Sequence, residues 1–242
     1  MNKKLTVLIV VLLVCALAWS YRQKRREQLA AALIADAYAG DLIAVKNDLE
    51  DGAPLDYTLL FEDEERQYAG ADFTPLHAAA SGGNEDVINL LLDEGLPING
   101  QTPHGWTPLF VAVRDGRAEA AKLLVFRGAD PNLQTDTGAT PLIMAVTQKF
   151  PTEKQRLDLV TYLLKRGADP KLTTHTGLDA LFFAASYQKN PELVALLLEY
   201  GADTQTENYK KLLKLTKERK DKDSKKIAAL LQKAAKTKKN SK

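Results

Sequence analysis

Three histidines, one cysteine and a few adjacent acids are the residues on which catalysis or metal binding would have to rest in this 242-residue chain. Cys15 is the only thiol, so no internal disulfide can form and no further cysteine is left to act as a nucleophile. Glu64 with Glu65, and Glu85 with Asp86, have the composition of a general acid and base. Loop solvation explains the first pair, and the second complements the positive end of a helix macrodipole. No G-x-S-x-G, H-E-x-x-H, Walker or G-x-G-x-x-G pattern occurs around them or around His77, His104 and His175. The sequence therefore predicts no catalytic residue, no metal site and no cofactor.

What the residues do specify is where helices start and stop. Thr74, Thr107 and Thr140 follow one another at intervals of 33 residues, each trailed by a proline (Pro75, Pro108, Pro141). A threonine hydroxyl accepts a bond from an orphan amide at a helix start, and proline in the first turn has no amide to waste, so each pair begins a helix. Ala78, Ala79, Ala80, Ala112 and Ala145 keep that helix thin enough for a neighbour to approach closely, and Gly82, Gly83 and Gly116 end it. A second helix then carries apolar residues at i, i+3 and i+4, as in Val87, Leu90 and Leu91 or Leu193, Leu196 and Leu197. Gly95, Gly128, Gly167 and Gly201 stop it in a left-handed cap. In the fifth unit Asp179 replaces threonine and can still cap. No such pair can bury its apolar side alone, so the period predicts a stack.

The stretches "TPLHAAASGG", "TPLFVAVRDGR", "TPLIMAV", "VTYLLKRGADP" and "LVALLLEYGAD" resemble the ankyrin repeat family over roughly residues 30 to 232. The resemblance implies an all-α solenoid of helix-turn-helix units with finger loops, in about six units. It also implies that His77, the histidine of TPLH, is structural. The reading places an N-terminal hydrophobic helix in 1–28, an array of five units in 29–207 with insertions near 57–70 and 149–156, a lysine-rich capping repeat in 208–234 and a disordered basic tail in 235–242. His104 and His175 then occupy corresponding finger positions two units apart; at about 8 to 10 Å per helix layer they stand roughly 20 Å apart and cannot share a metal.

Charge is segregated along the chain. Residues 208–242 carry a net +11 and residues 1–28 a net +5, which leaves −14 on residues 29–207. An acidic body attracts a basic partner and repels nucleic acid. Lys3 and Lys4 precede an uncharged apolar stretch from Leu5 to Tyr21, and Arg22, Lys24, Arg25 and Arg26 follow it. Its 17 residues are at the lower limit of a bilayer span. Two expectations compete: a retained single-pass membrane anchor, with the body periplasmic or exported rather than cytoplasmic, or a signal peptide cleaved after Ala18.

In this family, the resemblance implies, fingers and inner helices line a concave binding face. On this chain those positions are His104, Trp106, Gln134, Asp136, Thr174 and His175 in the fingers, and Ser81, Arg114, Asp115, Thr147, Gln148, Ser186 and Tyr187 on the helices. Of these His104, Trp106, Arg114, Asp115, Gln134, Asp136, Gln148, His175 and Tyr187 are the candidate partner-binding residues. Trp, Tyr and Arg are the types that most often anchor interfaces. The expectation is a monomeric, non-catalytic protein-protein interaction module of bacterial origin, membrane-tethered or exported. It would grip a partner with a basic surface, as an immunity or inhibitor protein does. The alternative is an envelope enzyme or stress-protection factor with a site that the motifs do not reveal.

Overall fold

The computed structural model describes the backbone of residues 3–60 and 72–240, and the side chains of residues 12–58 and 72–236. Its helices form six consecutive pairs: α1 (Lys3–Ala39) with α2 (Leu42–Glu50), α3 (Pro75–Gly82) with α4 (Glu85–Asp93), α5 (Pro108–Arg114) with α6 (Ala118–Phe126), α7 (Pro141–Thr147) with α8 (Glu153–Lys165), α9 (Ala180–Ser186) with α10 (Pro191–Glu199), and α11 (Glu207–Glu218) with α12 (Lys222–Asn240). Odd-numbered helices pack on the next odd-numbered helix, and even-numbered helices do the same in a second row. One short hairpin interrupts the α pattern: β1 (Leu59–Leu60) pairs antiparallel with β2 (Asp72–Phe73). It brackets the first insertion. The acidic group Glu62 to Glu65, with Phe61 and Tyr68, lies outside the described residues.

The helix starts follow from the capping residues. Thr107 Oγ1 accepts from Phe110 N at 3.1 Å and Thr140 Oγ1 from Ile143 N at 3.2 Å. Asp179 does the same work for the fifth unit, accepting from Phe182 N at 2.7 Å. Behind the caps, α5 buries every residue from Pro108 to Val113. Gly95, Gly128, Gly167 and Gly201 have φ of 91°, 101°, 93° and 88°, and a side chain at any of them would meet nothing within 4 Å. Backbone conformation alone therefore asks for glycine there. Gly82 is the opposite case: a Cβ there would overlap the carbonyl oxygen of Tyr38 on α1. One apolar core runs from Leu33 through Leu91, Leu124, Leu163 and Leu197 to Leu231, as a stack without a separate centre requires.

The N-terminal reading is corrected. Among the described residues no helix is long and apolar enough to cross a membrane. A single helix of 37 residues, α1 from Lys3 to Ala39, runs across position 28. Its second half is the inner helix of the first unit, with Ala30, Leu33, Ile34 and Ala37 buried. The basic cluster Arg22 to Arg26 sits in mid-helix. The helix also passes unbroken through Ala18, the expected cleavage point. A separate hydrophobic helix, membrane attachment through it, and an exported or periplasmic placement argued from it are set aside together.

The second insertion lengthens α8 to 13 residues, against 9 in α4, α6 and α10. It turns Arg156 inward: Nη2 donates to Gln148 O at 2.9 Å and Nη1 to Gln188 Oε1 at 3.2 Å, joining the fourth unit to the fifth. At the far end, α12 keeps its helix through Asn240, over most of the segment read from sequence as a disordered tail.

Candidate functional site

Three successive fingers are tight turns, each held by its own threonine. Thr102 N donates to Trp106 O at 3.0 Å and Gly105 N to Thr102 O at 2.8 Å. The next finger repeats the pattern at Thr135, Gly138 and Ala139, and the following one at Thr174, Gly177 and Leu178. Fingers are then tied to one another through backbone groups. Asp136 N donates to His104 O at 3.0 Å and His175 N to Thr137 O at 2.9 Å. Side chains complete the seam: Gln101 Nε2 reaches Gln134 O at 3.2 Å and Gln134 Nε2 reaches Thr173 O at 2.9 Å.

Behind the fingers, His77 fixes the tryptophan. Its Nδ1 is 2.8 Å from Thr74 Oγ1 and its Nε2 is 2.9 Å from Trp106 O. Only 1% of this residue is exposed, and burial holds its pKa down at about 4, against the lesser opposing pull of the Trp106 and Gly100 carbonyls. A neutral imidazole therefore bridges α3 to the next finger. Trp106 packs with Phe73 and Val111 in a small cluster of its own. Its ring centroid is 6.3 Å from that of Phe110 and 5.6 Å from that of His104. The Arg114 guanidinium lies 4.4 Å from the ring centroid, within cation–π range.

Four of the nine candidate residues meet in one place. His104, Trp106, Arg114 and Asp136 line a cleft of about 400 Å³ together with Phe110, Thr135, Thr137, Ala139 and Met144. At its rim His104 Nδ1 stands 3.3 Å from Asp136 Oδ2, with both side chains about half exposed. The floor is apolar and the rim carries the Asp136 carboxylate, so the cleft suits an amphipathic side chain. Among the described residues no group of three or more His, Cys, Asp or Glu side chains is arranged to hold a metal ion.

The other candidates lie elsewhere or face inward. Asp115 accepts from Ser81 Oγ at 2.7 Å and from Arg114 Nε at 3.1 Å, and its side chain is 8% exposed. Ser81, Gln134 and Gln148 likewise belong to the seam, Gln148 donating to Arg114 O. His175 is exposed on the following finger. Tyr187 is 67% exposed beside Phe182 and Phe183, and it does not line the cleft. Sequence reasoning missed Phe110 and Met144 as part of the cleft floor. A signal existed for Met144, since a long flexible side chain stands where the second unit has Ala78.

No curated protein matches this chain significantly. The family model described as "Ankyrin repeats (3 copies)" matches residues 42–135 and 121–208. That fold is a non-catalytic scaffold. The matched segments cover more than half of the chain and coincide with the stacked helix pairs from α2 to the start of α11, so the protein belongs to the ankyrin repeat family.

Proposed function

We propose that this protein is a non-catalytic module that captures another protein in the cleft between its third and fourth units. The observation that carries the reading is the meeting of His104, Trp106, Arg114 and Asp136 around one apolar floor. The partner presents an apolar side chain to Trp106, Phe110 and Met144, and a basic group beside it to Asp136, whose carboxylate is half exposed. A net −14 on residues 29–207 steers a basic surface toward this face and raises its encounter rate. His175 and Tyr187, exposed further along the array, extend the contact as the interface widens.

A photo-crosslinking amino acid placed at Thr137, on the cleft rim, gives discrete adducts in cells that make the full chain. The same group at Lys165, exposed on the outer row, does not. Adducts of equal yield and identity from both positions would show that the cleft is not the place of capture.

A further inference from the structure

We propose that the last unit carries a second binding surface, independent of the cleft above, for an acidic amphipathic segment of a partner protein. The exposed flank of α11 is organised around an apolar depression. Tyr209, Leu213 and Ala235 contribute its greasy wall, and Lys210, Lys214 and Lys217 stand around it in a cleft of about 430 Å³. At 3.6 residues per turn, Leu213, Lys217, Lys210 and Lys214 fall within about 100° of one another on the helix. This is one continuous stripe, bordered by the buried Tyr209 and set apart from the buried Leu212 and Thr216.

The three ammonium groups are available. Lys210 lies 3.1 Å from Glu207 Oε2, but both side chains are about 70% exposed, and such a pair is weak. Among the described residues no acid pairs with Lys214 or Lys217. The surrounding segment is one-signed, since residues 208–242 carry fourteen Lys and Arg against three acids. Complementarity therefore selects an anionic occupant, and the depression selects one with an apolar group among its charges.

That second requirement separates a protein segment from other polyanions. Single-stranded nucleic acid binds by stacking bases on exposed rings, whereas Tyr209 is 5% exposed and its hydroxyl is engaged with Leu231 O. A bilayer or a duplex is an extended anionic surface and would meet the −14 of the preceding units along with the cap. A short helix or strand meets the cap alone. One leucine-sized side chain enters between Leu213 and Ala235 while carboxylates reach the lysines.

The test uses the full chain and a fluorescent peptide of leucines and glutamates patterned to form an amphipathic helix. Its scrambled isomer, polyglutamate, vesicles of phosphatidylcholine with phosphatidylserine, and a short single-stranded oligonucleotide serve as competitors. The patterned peptide is expected to bind in a salt-dependent manner, at least about tenfold more tightly than its isomer. Lys214→Glu with Lys217→Glu is expected to weaken that binding by about tenfold or more while the thermal midpoint stays in place. Filling the depression with Ala235→Leu lowers affinity for the patterned peptide and leaves polyglutamate adsorption unchanged. Equal binding of the patterned peptide and its isomer would reduce the surface to general charge attraction and overturn the proposal. Preferential binding of vesicles or of the oligonucleotide, lost in the double lysine variant, would overturn it in favour of that occupant.

Discussion

The third and fourth units and the sixth are built from the same helix pair, yet they treat their surfaces in opposite ways. In the third unit α5 buries six consecutive residues, from Pro108 to Val113, because α3 and α7 flank it on either side. In the sixth, α11 buries Tyr209, Leu212 and Thr216, and among the described residues has an inner-row neighbour only in α9. Polar groups divide the same way. Centrally many are turned into the seam, as with Ser81, Asp115, Gln134 and Gln148; at the end Asn208 and Arg219 still bond back to Gly177 O and Ser186 O, but the exposed flank of α11 is lined with lysines facing water. A unit's neighbours decide whether its polar residues serve cohesion or are left for a partner.

The largest expected contrast is in stability. Leu124→Ala removes a fully buried side chain on α6 and is expected to destabilise by about 2 to 5 kcal/mol. Leu215→Ala, at a position 40% exposed on α11, is expected to change stability by about 0.5 kcal/mol or less. Urea denaturation of the two variants measures both. Comparable losses would mean that the last unit is as tightly integrated as the middle, and the contrast would fail.

Acid acts on the seam through His77. The His77 imidazole titrates at about 4 in the folded chain, below its ordinary 6.5. Its contribution is complete above about pH 6.5 and is lost as pH falls toward 4, to the extent of about 3 kcal/mol. Asp48 runs the other way: burial first, then Asp36 and Asp51, raise its carboxyl to about 6, so its ionisation weakens the folded chain as pH climbs from 3.8 to 6. The cleanest measurement is therefore made in an Asp48→Asn background. There the thermal midpoint falls steadily below pH 6.5, and adding His77→Gln flattens that slope. An unchanged slope would locate the acid sensitivity outside the Thr74–His77–Trp106 bridge.

Much of this fold was legible in the residues because its rules are local. A capping hydroxyl, a proline at the first turn and a left-handed glycine act within four residues, and the fifth unit kept its helix when Asp179 replaced threonine. The N-terminal helix was misread for the complementary reason. The apolar run and the basic cluster drew a boundary by composition, while Ala30, Leu33, Ile34 and Ala37 were continuing one amphipathic helix across it. In the candidate site, residue type identified the surface positions of the fingers but not the direction their side chains take. Asp115, Gln134 and Gln148 reach partners 34 to 39 residues away, and nothing local to them specifies that reach.

Two aromatic residues on the array sharpen the contrast at smaller scale. Trp106 is half-buried, its ring contacting Phe73, Phe110 and the Arg114 guanidinium. Trp106→Ala is expected to lower stability by about 1 to 3 kcal/mol as well as partner capture, since a cation–π contact and packing are lost together. Its effect on binding must therefore be read at a temperature well below the variant's own unfolding.

Tyr187 occupies the position that Asp115 and Gln148 occupy in the preceding units, and it is the one of the three that stays out of the seam. Asp115 receives Ser81 and Gln148 donates to the Arg114 carbonyl, whereas Tyr187 is 67% exposed and touches only the rings of its own helix, Phe182 and Phe183, among the contacts described. Tyr187→Ala is expected to shift stability by no more than about 0.5 kcal/mol. If the cleft and the exposed flank belong to one interface, the same change slows capture or speeds release, because an exposed tyrosine can gain burial only from a partner. Calorimetry and a crosslinking yield from the Thr137 position, measured side by side, separate these effects. A midpoint that falls by several degrees would put Tyr187 with the seam after all. An unchanged midpoint with unchanged capture would confine the interface to the third and fourth units.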